Sequence, residues 1–289
     1  MSVTLSRFSR TADAVPPHAW FAVSAVFHYL GPSFAVLLFA SVGVLGTAWL
    51  RIATAAVCFA LWTRPWNTLL RADWQTRLLL VGLGATLAMM NAAFYLALDR
   101  LPMSLVAAME FVGTIAVALW GVRTWRNLGA LALAVGGVVI LIDVTWASDA
   151  VGLFWAVVNG GLFVCYIVLG HRIAGNGAGS GIDQLGAAMV LAFLFILPVG
   201  LFEAADAIAT PHLLLAGIGV GVCSSVIPYV CDQLAMARLP RSSFALMLAL
   251  LPAMATVIAA IVLAQIPSLR DLVGVAIVMA GVGVHKPVR

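Results

Sequence analysis

The sequence has too few charged residues for a protein that is soluble in water. Asp, Glu, Lys and Arg make up 9% of its 289 residues, whereas 64% are hydrophobic and the mean hydropathy is +1.12. Soluble globular proteins carry about 25% charged residues, so this composition cannot cover a surface that faces water. The shortage of charge, together with apolar runs of helical length, predicts an all-α polytopic membrane protein.

Signatures of several other protein classes are also missing. The P-loop pattern GxxxxGK[ST] does not occur, so direct use of ATP is unsupported. HExxH, GxSxG and paired carboxylates are absent as well, so we do not expect an enzyme and assign no catalytic residue. The cysteines lie in apolar stretches without CxxC spacing, which favours buried thiols over a disulfide or a metal site. They are Cys58, Cys165, Cys223 and Cys231. Neither a cofactor nor a metal is predicted.

Ten apolar stretches approach the length of about 20 residues that a helix needs to cross a bilayer. Taking charged residues, Gly and Pro as boundaries, they are 19–39, 44–62, 77–98, 103–121, 128–145, 151–170, 184–202, 212–236, 242–264 and 271–285. Gly31 and Pro32 interrupt the first stretch, which predicts a kink or a break in its hydrogen bonding. The segment 175–181, rich in Gly, Ser and Asn, predicts the longest flexible connection.

The basic residues lie mostly on one side of the predicted membrane. If the N-terminus is cytoplasmic, twelve of the 15 Lys and Arg residues fall in inner segments, and only Arg51, Arg100 and Arg270 fall outside. This positive-inside bias predicts that both termini are cytoplasmic. It also accounts for the net charge of +4 without nucleic-acid binding. We interpret Arg51 as an interfacial anchor that reaches outward, in preference to a partner for a bound carboxylate.

One segment recurs 138 residues further along the chain. LALDRLPMSLVAAM (96–109) and LAMARLPRSSFALM (234–247) share eight of fourteen positions, including the turn sequence RLP. The first turn would lie outside the membrane and the second inside. Residues 1–145 and 146–289 are therefore predicted to form two five-helix repeats of opposite orientation. Inverted repeats are typical of secondary transporters, which bind their substrate where the halves meet.

Polar side chains recur along single faces of the predicted helices, because residues four or seven apart share a face. Facing lipid would be costly for them, so they are predicted to line an internal binding site. The sets are Asn91 with Tyr95, Asn159 with Tyr166, and Ser225 with Tyr229 and Asp232. Alternatives stay open: Asn91, Asn159 and Ser225 can join helices by hydrogen bonds, and Tyr95 and Tyr229 can belong to an interfacial belt.

Glu110 is the acidic residue deepest inside an apolar stretch before Asp232. A carboxylate there costs several kcal/mol unless it is paired or hydrated, and burial favours its neutral form. Glu110 is therefore predicted to exchange a proton for the ammonium group of a substrate, or else to be held neutral by a helix–helix hydrogen bond. Asp232 and His28 are further candidates for proton coupling. Asp232 could instead pair with Arg238 or Arg241, and His28 could make a structural hydrogen bond.

Four short motifs carry a family resemblance. They are MNxxFYLA ending at Ala97, RLPxS (100–104), MEFxG (109–113) and SxxxPY (224–229). In these the chain resembles the EamA-type carriers of the drug/metabolite transporter superfamily, and within it the branch that exports threonine and homoserine. The resemblance implies ten helices around a central cavity in the bacterial cytoplasmic membrane. It also implies efflux of small neutral amino acids in exchange for protons, by alternating access.

Glycine and proline positions indicate where the helices can bend, and one position departs from the pattern of the related carriers. Gly31, Pro32, Pro228 and Pro252 would act as hinges. In related carriers an acidic residue commonly precedes the proline of the ninth helix, whereas this chain has Leu251. Coupling therefore has to use Glu110, Asp232 or neither. Two alternatives remain: the same fold exporting aromatic amino acids, nucleobases or drugs, and a non-transporting subunit of a membrane complex.

Overall fold

The computed structural model describes residues 15–110, 112, 124–141, 149–175, 178–239, 244, 247 and 251–284. Every regular element within these ranges is helical, and no strand occurs among them. The prediction of an all-α chain is confirmed for this part of the sequence.

Helices follow one another with short connections. The first half contains α1 (Pro17–Val42), α2 (Val44–Thr63), α3 (Pro65–Arg71), α4 (Trp74–Leu98), a helical segment at 103–110, and α5 (Trp125–Leu141). The second half contains α6 (Ala150–Ala174), α7 (Ala178–Ala209), α8 (Pro211–Gly221), a π-helical turn (Val222–Val226), α9 (Ile227–Met236), α10 (Leu251–Val262) and α11 (Leu269–Val284).

Six of the predicted membrane spans coincide with helices that are long and apolar enough to cross a bilayer. They are Pro17–Val42, Val44–Thr63, Trp74–Leu98, Ala150–Ala174, Gly181–Ala209 and Pro211–Met236. Each of the other four predicted spans, 103–121, 128–145, 242–264 and 271–285, includes residues outside the described ranges. The described parts of those four are helical over 103–110, 125–141, 251–262 and 269–284, and the count of ten spans stays a prediction.

Two local expectations differ from the structure. Helix α1 is continuous through Gly31 and Pro32, so these residues do not break it. Proline has no N–H, so the missing bond to the carbonyl of His28 is tolerated within an otherwise complete helix. The flexible connection predicted at 175–181 is too long, because α7 already begins at Ala178.

Helix ends are fixed by single residues. Gly43 alone joins α1 to α2, with φ of 80°, a backbone conformation that favours glycine. The Glu203 carboxylate accepts a hydrogen bond from the Gly46 N–H at 2.9 Å, which satisfies a donor in the first turn of α2. Exposed Asp73 caps α4 by accepting from the Thr76 N–H at 3.2 Å. Hydrogen bonding from the side chain and from the N–H of Thr76 holds the pKa of the Asp73 carboxyl below its usual value.

The helices pack in five principal pairs, one of which joins α4 to α7. Helix α4 packs against α6, and α1 packs against α9. Helix α2 packs against α7, and α5 packs against α11. Helix α1 also contacts α10 and the π-helical turn, so it lies among elements from the second half of the chain.

The outer surface is apolar, unlike the surface of a soluble protein. Large apolar side chains point outward on the long helices, for example Leu61 at 79% exposure and Phe202 at 85%. The four tyrosines are the largest fully buried side chains, namely Tyr29, Tyr95, Tyr166 and Tyr229. An interfacial position for Tyr95 and Tyr229 is therefore wrong. Polar groups inside and apolar groups outside is the arrangement that a hydrocarbon solvent favours.

Candidate functional site

Eleven polar residues form two neighbouring clusters between the helices. We name them the Glu110 cluster (Tyr29, Arg51, Asn91, Glu110, Asn159, Ser224, Ser225 and Tyr229) and the Asp232 cluster (Ser24, Tyr166 and Asp232). Except for Tyr95, all predicted residues of the substrate site fall within these clusters.

Glu110 is buried at 2% exposure and is held by residues of two other helices. Its Oε1 accepts a hydrogen bond from Asn159 Nδ2 at 2.7 Å, and its Oε2 accepts from the Tyr29 hydroxyl at 3.3 Å. Asn159 lies on α6 and Tyr29 on α1, so the carboxyl group joins three helical segments. Glu110 and Asn159, both predicted to belong to the site, lie in contact, whereas the sequence did not indicate Tyr29.

Asn91 and Tyr229 connect the two halves of the chain. Asn91 Nδ2 donates to the Tyr229 hydroxyl at 3.2 Å, and it also lies 2.6 Å from the carbonyl of Leu87. The two residues are 138 positions apart, which is the offset between the recurring sequence segments. Both side chains are almost completely buried.

Arg51 does not reach outward, so its interpretation as an interfacial anchor is wrong. The side chain is 3% exposed, and Nε donates to Ser225 Oγ at 2.8 Å. Nη2 donates to the Ser224 carbonyl at 2.7 Å, and the guanidinium lies 5.3 Å from the centre of the Tyr95 ring. Its interior position in the predicted span 44–62 is the signal that could have identified it, because a snorkelling residue lies near a helix end.

The π-helical turn explains how α8 and α9 hold Arg51. In an α-helix the Ser224 carbonyl would accept from the N–H of residue 228, but that residue is proline. The carbonyl therefore has capacity left for Arg51 Nη2. Single π-helical turns occur frequently at functional sites. Pro228 is predicted as a hinge; because it has no N–H, it leaves the Ser224 carbonyl able to accept from Arg51.

Asp232 is the centre of the second cluster and is 6% exposed. Its Oδ1 accepts from Ser24 Oγ at 2.5 Å, and its Oδ2 accepts from the Tyr166 hydroxyl at 2.9 Å. Tyr166 contacts Tyr229 with ring centres 5.4 Å apart, which places the two clusters side by side. The spacing of four residues between Ser24 and His28 could have placed Ser24 on the same face of α1.

His28 lies between the two clusters. It lines a small cavity together with Glu110 and Arg51, and a second one together with Asp232 and Tyr166. Its ring makes edge contacts with Tyr29 and Phe163, and it has no hydrogen bond to any residue in the described ranges. The alternative of a structural hydrogen bond is therefore not supported there. Each cavity has a volume of about 10 Å³, room for one water molecule at most.

A much larger cavity lies beside the first RLP turn. It has a volume of about 530 Å³ and is lined by residues 98–102 and 265–268, together with Thr256, Arg270 and others. The turn is tied to the start of α6 by an ion pair at 3.4 Å between Arg100 and Asp149, both partly exposed. Within the described ranges no group of three His, Cys, Asp or Glu side chains could hold a metal ion.

Two further candidates, Tyr95 and Pro252, lie outside these clusters. The Tyr95 hydroxyl has no hydrogen-bond partner among the described residues, and its ring packs against the guanidinium of Arg51 and the ring of Phe39. Pro252 is the second residue of α10, and its carbonyl accepts from Thr256 Oγ1 at 2.8 Å.

Comparison with known proteins identifies the family. The model of the EamA-like transporter family matches residues 150–284. The threonine/homoserine exporter RhtA of Salmonella typhimurium (strain LT2) is 31% identical over 269 residues, covering 90% of this chain and 88% of the relative. RhtA of Escherichia coli (strain K12) is 31% identical over 264 residues with the same shares.

A solved crystal structure is also similar in fold. It aligns with a TM-score of 0.61 and 17% sequence identity, covering 92% of this chain and 96% of the other. At that identity the likeness concerns the fold alone. The identity to the exporters extends over nearly the whole chain, and long apolar helices enclose a polar centre. The chain is a multi-pass membrane protein that belongs to the EamA-like transporter family.

Proposed function

We propose that this protein is a secondary active exporter of small neutral amino acids, similar to threonine or homoserine, in the bacterial cytoplasmic membrane. The observation that carries the proposal is the buried Glu110 cluster, in which a carboxyl, a guanidinium and two amides meet inside apolar helices. Such groups match the ammonium and carboxylate of an amino acid. The curated relatives, named as threonine/homoserine exporters, support this cargo.

The helix pairs support two inverted repeats, 1–145 and 146–289. If each half contributes five spans, the third span (α4) corresponds to the eighth (which includes α9), and the first span (α1) corresponds to the sixth (α6). The pairing of α4 with α6 is then equivalent to the pairing of α9 with α1. The pairs α2 with α7 and α5 with α11 each map onto themselves. The bond between Asn91 and Tyr229 joins equivalent positions, as expected near an axis that relates the two halves.

Alternating access would open the closed central cavities to one side at a time. The cavity of about 530 Å³ beside the first RLP turn lies on the predicted outer side and would form part of the exit route. Gly31, Pro32, Pro228 and Pro252 would let α1 and the helices around it bend. Proline and glycine are tolerated in membrane helices where neighbouring groups satisfy the backbone.

Proton coupling would use Glu110, and Asp232 and His28 would also take part in proton transfer. Glu110 and Asp232 are both buried carboxyl groups, and His28 lines a cavity beside each of them. Intramembrane carboxyl and imidazole groups are typical of proton relays. Protonation of Glu110 would remove the charge that attracts a substrate ammonium, so the proton and the substrate would compete for one carboxyl.

Counterflow of labelled threonine in proteoliposomes tests the proposal. We expect the purified protein to exchange internal unlabelled threonine for external label, and external acidification to accelerate efflux. Liposomes without protein are the control. Exchange of aromatic amino acids, nucleobases or cationic drugs without any threonine or homoserine flux would assign a different cargo. Absence of flux for every compound would favour a non-transporting subunit.

Asp232→Asn is expected to slow gradient-driven efflux by only about threefold. Both carboxyl oxygens of Asp232 are occupied by Ser24 and Tyr166, and the loss of one ordinary hydrogen bond has an effect of this size. The measurement compares initial rates of threonine efflux with and without a pH gradient. Complete loss of the gradient effect in this variant would move the coupling role from Glu110 to Asp232.

A further inference from the structure

Arg51 presents an unused hydrogen-bond donor inside the protein. Nε and Nη2 bind the π-helical turn, but Nη1 is buried and has no partner among the described residues. Arginine remains protonated in proteins, so this nitrogen carries part of a full positive charge. Buried polar atoms normally have a partner, and one that lacks it needs an explanation.

The surroundings of Arg51 do not neutralise its charge. In the described part of the chain no carboxylate oxygen lies within 4.0 Å of the guanidinium. Its contacts are a hydroxyl, a carbonyl and the face of the Tyr95 ring, which together leave a net charge of +1. Glu110 lines the same small cavity and interacts electrostatically with the guanidinium, but it makes no direct ion pair with it. The position is therefore suited to an anion that comes and goes.

Hydrogen-bond acceptors that complement Arg51 line the same small cavity. Asn159 Oδ1 is a buried acceptor without a partner among the described residues, and Asn159 Nδ2 binds the Glu110 carboxyl. Arg51, Glu110 and Asn159 all line this cavity. The lining of this cavity thus includes a cationic donor from α2 and acceptors from segment 103–110 and α6.

We propose that this cavity is a zwitterion site, in which Arg51 Nη1 binds the substrate carboxylate while Glu110 and Asn159 Oδ1 bind its ammonium. The inference rests on the proposed export of amino acids and specifies how that cargo is recognised. With a volume of about 10 Å³ the cavity is too small for an amino acid as it stands. Binding therefore requires α2 or the π-helical turn to move, which couples occupancy to the helices that meet there.

Three related ligands test the carboxylate contact and the ammonium contact independently. Threonine carries both charges, threoninamide keeps only the ammonium, and 3-hydroxybutyrate keeps only the carboxylate. The affinity for each ligand is measured from the rise in the unfolding temperature of the purified protein in detergent as the ligand concentration increases. The KM for threonine counterflow is a second measurement. For the wild type we expect both analogues to bind at least about tenfold more weakly than threonine, because each lacks a charge-assisted hydrogen bond.

Arg51→Gln is expected to weaken threonine binding at least about tenfold and to leave threoninamide binding nearly unchanged, so that the two ligands become equivalent. The matched control is Arg71→Gln, because Arg71 is an exposed arginine at the end of α3. A merely structural role for Arg51 would lower the unfolding temperature without ligand and leave the ratio of threonine to threoninamide affinity unchanged. That unchanged ratio would overturn the proposal.

Arg51→Lys covers the case in which the glutamine variant does not fold. Lysine keeps the charge but loses the planar fork, so threonine affinity is expected to fall by about threefold or more while threoninamide affinity stays constant. An equal change for both ligands would contradict a carboxylate site.

Binding and transport measurements on the wild type distinguish this proposal from the proposed function. Equal binding of threonine and its amide, with normal transport, would contradict the carboxylate site and leave threonine export intact. Selective binding of threonine without any flux would contradict export and leave the site intact.

Discussion

Glu110→Gln is expected to reduce threonine efflux driven by a pH gradient at least about tenfold, while threonine counterflow at saturating concentration continues. Glutamine keeps the size of the side chain and can still contact Asn159 and Tyr29, but it cannot take up a proton. If export is coupled to proton entry as proposed, an acidic exterior should accelerate efflux in the wild type. In the variant the rate should not respond to external pH.

The measurement compares initial efflux rates at several external pH values for wild type, Glu110→Gln and a control. Asp206→Asn is suitable as the control, because Asp206 is an exposed carboxyl group near the end of α7. Efflux in Glu110→Gln that still accelerates with external acidification would exclude Glu110 from coupling. Loss of counterflow even at saturating threonine, together with loss of the pH response, would indicate that this carboxyl is indispensable for binding and does not merely strengthen it.

Gly31→Ala is expected to destabilise the folded protein by about 2 kcal/mol or more. A Cβ at this position would lie 2.6 Å from the backbone nitrogen of Ser224 and 2.7 Å from its Cα, both too close for a non-bonded carbon atom. Backbone atoms cannot rotate away, so α1 and the π-helical turn would have to separate. Because Ser224 holds Arg51 Nη2, the displacement would also disturb the Glu110 cluster and lower counterflow.

Thermal unfolding in detergent and counterflow rates test this prediction together. Gly161→Ala is the matched control, because a Cβ there meets nothing within 4 Å and α6 should gain slightly from the better helix former. A Gly31→Ala protein with the stability and counterflow of the wild type would show that the two elements have room to separate. Gly31 would then act as a hinge rather than as a close contact.

The helices and their polar interruptions could be predicted from sequence because they are properties of one segment at a time. Apolar length determines whether a helix can cross a bilayer, and this criterion correctly located the six long helices. A carboxyl or an amide inside such a stretch must face the interior, which led to Glu110, Asn91 and Asn159. Each of them is buried, as predicted.

Partners between segments could not be predicted, since periodicity identifies the inner face of a helix but not the helix that it meets. The hydrogen bonds of Tyr29 to Glu110 and of Ser24 to Asp232 join positions 81 and 208 residues apart. Their existence depends on the rotation and depth of α1 relative to its neighbours. No local pattern records either quantity.

Arg51 shows most clearly which features the sequence determines and which the tertiary structure decides. By itself the sequence determined that an arginine stands within an apolar helix, and its long side chain could either reach the interface or remain inside. Only the tertiary structure decided between them, because the proline at 228 leaves a carbonyl of the π-helical turn available next to α2. The inward direction of that charge, opposite Glu110 and Asn159, follows from the packing of helices that are distant in sequence.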